Sequence, residues 1–130
     1  MQRRPLLAGL ALALVGGRLL NGEMAMAGTT AGFGMIGKIQ AKPGTRAELV
    51  AILSGGTGAM PGCLAYLIAE DAADPDAIWI TELWDSKESH AASLKLPAVQ
   101  DAIAKGRPLI AGFDLSAETR PVPGSFLAGV

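Results

Sequence analysis

The chain has 130 residues and a formal net charge of −1 at pH 7. This length supports one domain at most, and a near-neutral charge without a basic cluster gives no indication of nucleic-acid binding. A single cysteine excludes an intrachain disulfide, and one cysteine with one histidine disfavours a zinc-type site built by the chain alone.

Residues 1–27 have the anatomy of a secretory signal peptide. Arg3 and Arg4 precede an apolar run, Leu6 to Val15, and residues 25–27 (AMA) supply a small-x-small cleavage pattern. The arginine pair matches part of the twin-arginine signal. The run is too short and too interrupted by glycine to favour a spanning helix. We therefore expect export, to the periplasm, or a cytoplasmic location if the start codon is assigned too far upstream.

The first strand and helix follow a short flexible lead-in, residues 28–33. Met35 to Ala41 predicts a strand, and Lys42-Pro43-Gly44 a turn. A capping-box spacing between Thr45 and Glu48 predicts the start of a helix with an apolar stripe. Glycines weaken the end of this helix, and the turn at residues 60–62 (MPG) closes it.

Two strands come next, Cys63 to Glu70 and residues 78–84, separated by a polar turn that contains Pro75. Because side chains alternate along a strand, the third strand has two different faces. One face carries Ile78, Ile80, Glu82 and Trp84, and the other carries Trp79, Thr81 and Leu83. Both faces are largely apolar, so we expect both to be covered, with Trp79 packed against a partner.

A helix pair and a fourth strand complete the domain. Asp85, with Glu88 three residues later, predicts the cap of a helix that runs through His90. Pro97 to Lys105 predicts the second helix, with Gly106 as its stop. Residues 109–120 predict the last strand, and residues 122–130 form a tail.

This order of strands and helices indicates an α+β sandwich of ferredoxin-like type, in which helices cover one face of the sheet. The other face is apolar as well, and a second copy of the chain is the simplest cover for it. We expect a homodimer, because a mature chain of about 100 residues is close to the lower limit for a stable isolated core.

Several short segments, in this order, resemble the antibiotic biosynthesis monooxygenase (ABM) family and its quinol monooxygenases. They are KPG at residues 42–44, MPGC at 60–63, TELWDSKESH at 81–90, LPAV at 96–99 and GF at 112–113. The resemblance covers about residues 34–121. It implies a dimeric α+β barrel and oxygenation of electron-rich aromatics by molecular oxygen, without metal, flavin or haem.

The resemblance also implies a site. Trp84 matches the tryptophan that borders the pocket in polyketide-quinol members, His90 takes the place of their tyrosine, and Ile80 the place of their asparagine. In the haem-degrading branch the histidine would fall near Leu94, and the first strand here has no asparagine, which disfavours that branch.

These observations lead to a candidate site with named roles. His90 is the candidate general base or hydrogen-bond donor to a phenolic oxygen, Trp84 a wall for the aromatic ring, and Glu82 the orienter of His90 or a second base. The structural alternatives are a helix-face histidine, a core or interface tryptophan, and, for Glu82, a fixed hydrogen bond to a neighbouring strand or the partner. Tyr66, Phe113 and Ile80 are the candidate substrate-binding residues. Arg107 and Arg120 are expected to be solvated or paired at the surface. A non-catalytic, dimeric small-molecule-binding module of the same fold is the alternative to the enzyme.

Overall fold

The computed structural model describes residues 30–56 and 58–125 of the chain. The predicted signal peptide, residues 1–27, lies outside this part of the chain and stays a prediction. The same holds for the last residues of the predicted tail.

Four strands and three helices follow one another in the predicted order. In chain order they are β1 (Phe33–Ala41), α1 (Arg46–Gly56), β2 (Cys63–Glu70), β3 (Ala77–Trp84), α2 (Lys87–Ser93), α3 (Pro97–Gly106) and β4 (Ile110–Thr119). A single turn of 3₁₀-helix, Arg107–Leu109, joins α3 to β4. The ferredoxin-like α+β class predicted from the sequence is confirmed.

The strands form one antiparallel sheet in the order β2-β3-β1-β4. The two central strands and α1 form a core on one side of the sheet, made of Ile39, Ala41, Leu49, Ile78 and Ile80. Side chains alternate along each strand, so this side is also the side of Glu82 and Trp84. The helices therefore cover the face on which the sequence places the candidate site.

A β-bulge interrupts the pairing of β2 with β3. Cys63 lies opposite Trp84, whereas Ala65 lies opposite Leu83, so Leu64 is the extra residue. The bulge changes the predicted alternation at the start of β2, because Cys63 now shares a register position with Trp84. From Tyr66 onward the predicted alternation is restored, since Tyr66 lies opposite Glu82.

The predicted capping box at the start of α1 is wrong. The backbone N–H and the hydroxyl of Thr45 both donate to the carbonyl oxygen of Lys42, at 3.0 and 2.8 Å. The Thr45 carbonyl accepts from the N–H of Leu49, which starts the helix. Thr45 thus closes the preceding turn with its side chain, although the helix begins where the signal predicts.

The cap of α2 is Ser86, and the prediction of Asp85 is wrong. The Ser86 hydroxyl accepts a hydrogen bond from the N–H of Ser89 at 3.1 Å. Asp85 instead donates its backbone N–H to the carbonyl of Gly62, at 2.9 Å. Gly62 has φ +85°, and a Cβ there would lie 2.5 Å from the Ser89 hydroxyl, so only glycine fits this contact between the β2 turn and α2.

Gly106 does not stop α3 in the way the sequence predicts. Its φ is −78°, and Arg107 continues the chain in helical conformation into the 3₁₀ turn. A Cβ on Gly106 would lie 3.1 Å from Leu49 Cδ1, so the glycine permits close packing of α3 on α1. Gly106 is therefore needed because α3 packs closely on α1. The backbone at Gly106 does not adopt the left-handed conformation that a glycine helix stop uses.

Trp79, on the sheet face away from the helices, is anchored by Asp71. Its Nε1 donates to Asp71 Oδ2 at 2.7 Å, and the Lys38 ammonium lies 5.4 Å from the ring centroid. The indole N–H, followed by the backbone N–H groups of Asp74 and Ala73, lowers the pKa of Asp71 to about 2. The prediction that Trp79 packs against a partner stays a prediction.

We predict that Asp71→Asn destabilises the protein near neutral pH and that this loss disappears in acid. The folded-state pKa of about 2 lies below the ordinary value of 3.8. The stabilisation is therefore complete above the ordinary value and is lost as the pH falls through the folded-state value. Urea unfolding of both proteins between about pH 6 and pH 2 measures the difference. Glu88→Gln, at an exposed position of α2, is the control, and a constant difference for Asp71→Asn at all pH values would contradict the linkage.

Candidate functional site

A cavity of about 590 Å³ lies between the helix-covered face of the sheet and the three helices. A volume of this size is typical of sites for small organic ligands. All six predicted site residues line it: His90, Trp84, Glu82, Tyr66, Phe113 and Ile80. The structure therefore brings these residues together, while their roles in chemistry stay predictions.

Trp84 forms a buried wall at the end of β3. The side chain is 1% exposed and lies opposite Phe33 of β1 in the sheet register. Its place at the last position of the strand follows from the alternation that also directs Ile80 and Glu82 to this face. A buried indole needs a partner for its N–H, and the neighbouring carboxylate supplies it.

Glu82 connects the two rings of the site. Its Oε1 accepts a hydrogen bond from Trp84 Nε1 at 2.9 Å, and His90 Nε2 lies 3.8 Å from the same oxygen. The side chains of Glu82 and His90 are 15% and 19% exposed. The indole N–H stabilises this mostly buried carboxylate, and a protonated imidazole at this distance would form an ion pair with it.

His90 is held by aromatic and backbone contacts. Its ring meets the edge of Trp84 at a centroid distance of 5.3 Å and an interplanar angle of 78°. Phe33 lies against the same ring at 5.6 Å. One turn further along α2, the buried Ser93 donates its hydroxyl to the His90 carbonyl oxygen at 2.6 Å. These contacts hold the imidazole at the cavity, next to the carboxylate.

Tyr66 contributes a neutral hydroxyl. It lies opposite Glu82 across the β2–β3 pair, and burial together with the nearby Glu82 carboxylate raises the pKa of its phenol. Among the described residues, its hydroxyl has no hydrogen bond to the protein. A phenol that stays protonated can donate to an oxyanion of a bound ligand.

Cys63 is less suited to chemistry. Burial, and to a smaller extent the Glu82 carboxylate, raises the pKa of its thiol. The sulfur lies 3.5 Å from the carbonyl oxygen of Ala65. Since the thiolate is the reactive form, this environment makes Cys63 a poor nucleophile.

Away from Glu82 and His90, the lining of the cavity is mostly apolar. Exposed apolar side chains surround the opening, among them Leu94, Ile103 and Phe113, which is 69% exposed. Arg107 also lines the cavity, at the start of the 3₁₀ turn. It is exposed, as the sequence predicts, but its position at the cavity was not anticipated.

Two contacts of the site were missed by reasoning from the sequence. Phe33 was assigned to the flexible lead-in, although it is the first residue of β1 and is 6% exposed. Phe33 stands two residues before Met35 and shares its face of the strand, and this alternation could have placed Phe33 in β1. Ser93 lies three residues after His90, a spacing that puts both side chains on one side of a helix.

Within residues 30–56 and 58–125, no cluster of three or more histidine, cysteine, aspartate or glutamate side chains is arranged to hold a metal ion. None of the helices in that part of the chain has the length and apolarity needed to cross a bilayer.

Comparison with known proteins points to one family. The family model described as antibiotic biosynthesis monooxygenase matches residues 32–105. A crystal structure from Chloroflexus aurantiacus J-10-fl, described as a candidate antibiotic biosynthesis monooxygenase, shares 63% identity and a TM-score of 0.70. The match covers 72% of this chain and 96% of that one. A search among curated proteins gave no match.

Two further structures show how widely the fold occurs. A protein of Deinococcus radiodurans with the same candidate description shares 27% identity over 75% of this chain and 99% of its own, with a TM-score of 0.62. A conserved protein of Methanosarcina mazei Go1 shares only 14% identity, over 73% of this chain and 97% of its own, with a TM-score of 0.63. The second likeness shows the fold alone.

We predict that Glu82→Ala lowers the free energy of unfolding by about 1–3 kcal/mol, because the buried Trp84 N–H loses its acceptor. Glu82→Gln keeps an oxygen in place and should cost less than about 1 kcal/mol. Urea unfolding followed by tryptophan fluorescence measures both. Equal losses for the two variants would show that the hydrogen bond to Trp84 contributes little.

Proposed function

Because the chain belongs to the antibiotic biosynthesis monooxygenase family, we propose that it oxidises a quinol or polyhydroxylated aromatic with molecular oxygen, without metal, flavin or haem. The family supports a general monooxygenase-type function. The observation that carries the finer proposal is the imidazole of His90 beside the carboxylate of Glu82, at the wall of an apolar cavity of about 590 Å³.

The first step of the proposed reaction is removal of a phenolic proton. His90 Nε2 takes the proton, and the Glu82 carboxylate 3.8 Å away stabilises the imidazolium that forms. Histidine is suited to this transfer because it changes charge near neutral pH. The Tyr66 hydroxyl, kept protonated by its raised pKa, donates to the substrate oxyanion.

The deprotonated substrate then reacts with oxygen. It transfers one electron to dioxygen, and the two radicals combine to form a carbon–oxygen bond. Loss of water from the resulting peroxide, with the proton returned by His90, gives the oxidised product. In sum, one quinol and one dioxygen give one hydroxyquinone and one water. The protein binds, orients and deprotonates the substrate and limits the access of water.

The Trp84 indole lies at the back of the cavity wall with only 1% of its surface exposed, so it shapes the site and offers little surface for stacking. Its N–H donates to Glu82 and its ring contacts His90, so the indole holds the two polar groups in place at the cavity. Ile80 adds an aliphatic contact where polyketide-quinol members have an asparagine, so orientation here depends on Glu82, His90 and Tyr66.

We predict that the purified, metal-free protein accelerates oxygen uptake by a reduced naphthohydroquinone. His90→Ala should lower the rate by about 10²-fold or more, the usual contribution of a general base. Glu88→Ala, on the exposed side of α2, is the matched control and should keep the full rate. An oxygen electrode measures all three proteins.

Oxygen uptake no faster than in buffer, combined with tight binding of the aromatic, would favour the alternative of a non-catalytic binding module. Uptake that persists in His90→Ala would remove the proposed role of the imidazole and leave the monooxygenase activity itself in place.

We further propose that two copies pack through the sheet face opposite the helices. This face carries Trp79 and Leu83 of β3 together with Leu67 and Leu115, which are 53% and 45% exposed. Adjacent apolar side chains on a sheet face are typical of an interface between identical chains.

We predict a dimer in solution that Leu67→Asp converts to monomer, because a carboxylate opposite Thr81 would be buried in the interface. Phe113→Asp, on the helix-covered side of β4, is the control and should stay dimeric. Light scattering after size-exclusion chromatography measures the mass. A monomeric wild-type protein would contradict the proposal.

A further inference from the structure

Polar side chains line the cavity at two distant places. Glu82 and His90 lie at one, and the cation Arg107, in the 3₁₀ turn before β4, lies at the other. Glu82 lies opposite Met35 of β1, whereas the chain after Arg107 enters β4 opposite Ala41. Met35 and Ala41 are six positions apart, which corresponds to about 20 Å along the strand. Arg107 therefore comes from the far end of the cavity relative to Glu82 and His90.

The guanidinium of Arg107 has no anionic partner among the described residues. The described ion pairs of the chain involve Lys38, Arg46, Lys87, His90 and Lys105. Apart from Arg107, the ionisable side chains that line the cavity are Glu82, His90 and Tyr66. A cation at the opening, away from the Glu82 carboxylate, attracts anions and can bind a carboxylate with two parallel hydrogen bonds.

The side chains around Arg107 indicate that the molecule carrying such an anion has an apolar body. Ile103 and Phe113 line the same cavity and are 37% and 69% exposed. Gly112, where a Cβ would meet nothing within 4 Å, adds open space beside them. An apolar body that reaches from Trp84 to this opening would cover these side chains and end at the guanidinium.

We propose that the ligand is an elongated aromatic acid, with a phenolic hydroxyl at Glu82 and His90 and a carboxylate at Arg107. Arg107 is then the residue that determines specificity for acidic over neutral aromatics. The inference builds on the proposed function, since it names the substrate class of the same cavity, but it concerns binding and needs no turnover.

Two fluorescent probes of nearly equal size test the proposal by equilibrium titration of the full chain. They are 4-(6-hydroxynaphthalen-2-yl)benzoic acid, with hydroxyl and carboxylate at opposite ends of a three-ring body, and its methyl ester, which has no charge. We expect the wild-type protein to bind the acid about tenfold more tightly than the ester, as one charge-assisted contact permits. In Arg107→Gln the two affinities should become nearly equal, with binding of the ester unchanged.

Three controls separate the charge contact from other effects. Arg107→Lys keeps the charge without the planar fork and should retain part of the preference. Arg120→Gln removes an exposed arginine outside the cavity and should retain all of it. In the wild type, the preference should weaken as salt is added, because the contact is exposed to solvent.

Several results would overturn the inference. They are equal binding of acid and ester by the wild type, a preference that persists in Arg107→Gln, and failure of both probes to bind. A persisting preference would show that Arg107 only stabilises the C-terminus of α3, where a cation is favourable in any case. Preferential binding of the acid without oxygen uptake would support this inference and contradict the monooxygenase proposal, so the two can fail separately.

Discussion

One carboxylate oxygen holds the site together. Glu82 Oε1 accepts the N–H of Trp84 at 2.9 Å and lies 3.8 Å from Nε2 of His90. A carboxylate in a largely apolar cavity is costly unless it is paired, and here an indole donor and an imidazole are adjacent to it. Because the indole is hydrogen-bonded to this oxygen and the imidazole contacts the indole, the wall of the cavity has a defined shape and a defined polarity.

The fold explains why only part of the cavity is polar. Glu82 and Trp84 come from the last residues of β3, and Tyr66 from the neighbouring strand. Ile39 and Ile80, nearer the middle of the sheet, are part of both the core and the cavity lining. In the proposed reaction, an aromatic substrate would therefore have its reactive oxygen beside His90 and its ring in an apolar environment, where the radical pair is shielded from water.

Helix positions depend on contacts that local patterns do not describe. Ser86 caps the α2 helix, whereas Asp85 pairs through its backbone with Gly62 in the turn before β2. The α3 helix approaches α1 through Gly106, which lacks the Cβ that would press on Leu49. In both cases the residue types suggested a local cap or stop, whereas the requirement came from a distant segment.

The sequence by itself determined the order and near-exact bounds of the strands and helices, because alternation, turn residues and helix signals are local. It also determined that Ile80, Glu82 and Trp84 share one face, since side chains alternate along a strand. The tertiary structure decided which rings meet. His90 reaches Glu82 only through the placement of α2, and Phe33 reaches His90 only through the pairing of β1 with β3. Arg107 reaches the same cavity through the packing of α3. These juxtapositions join residues far apart in the chain, and no local spacing encodes them.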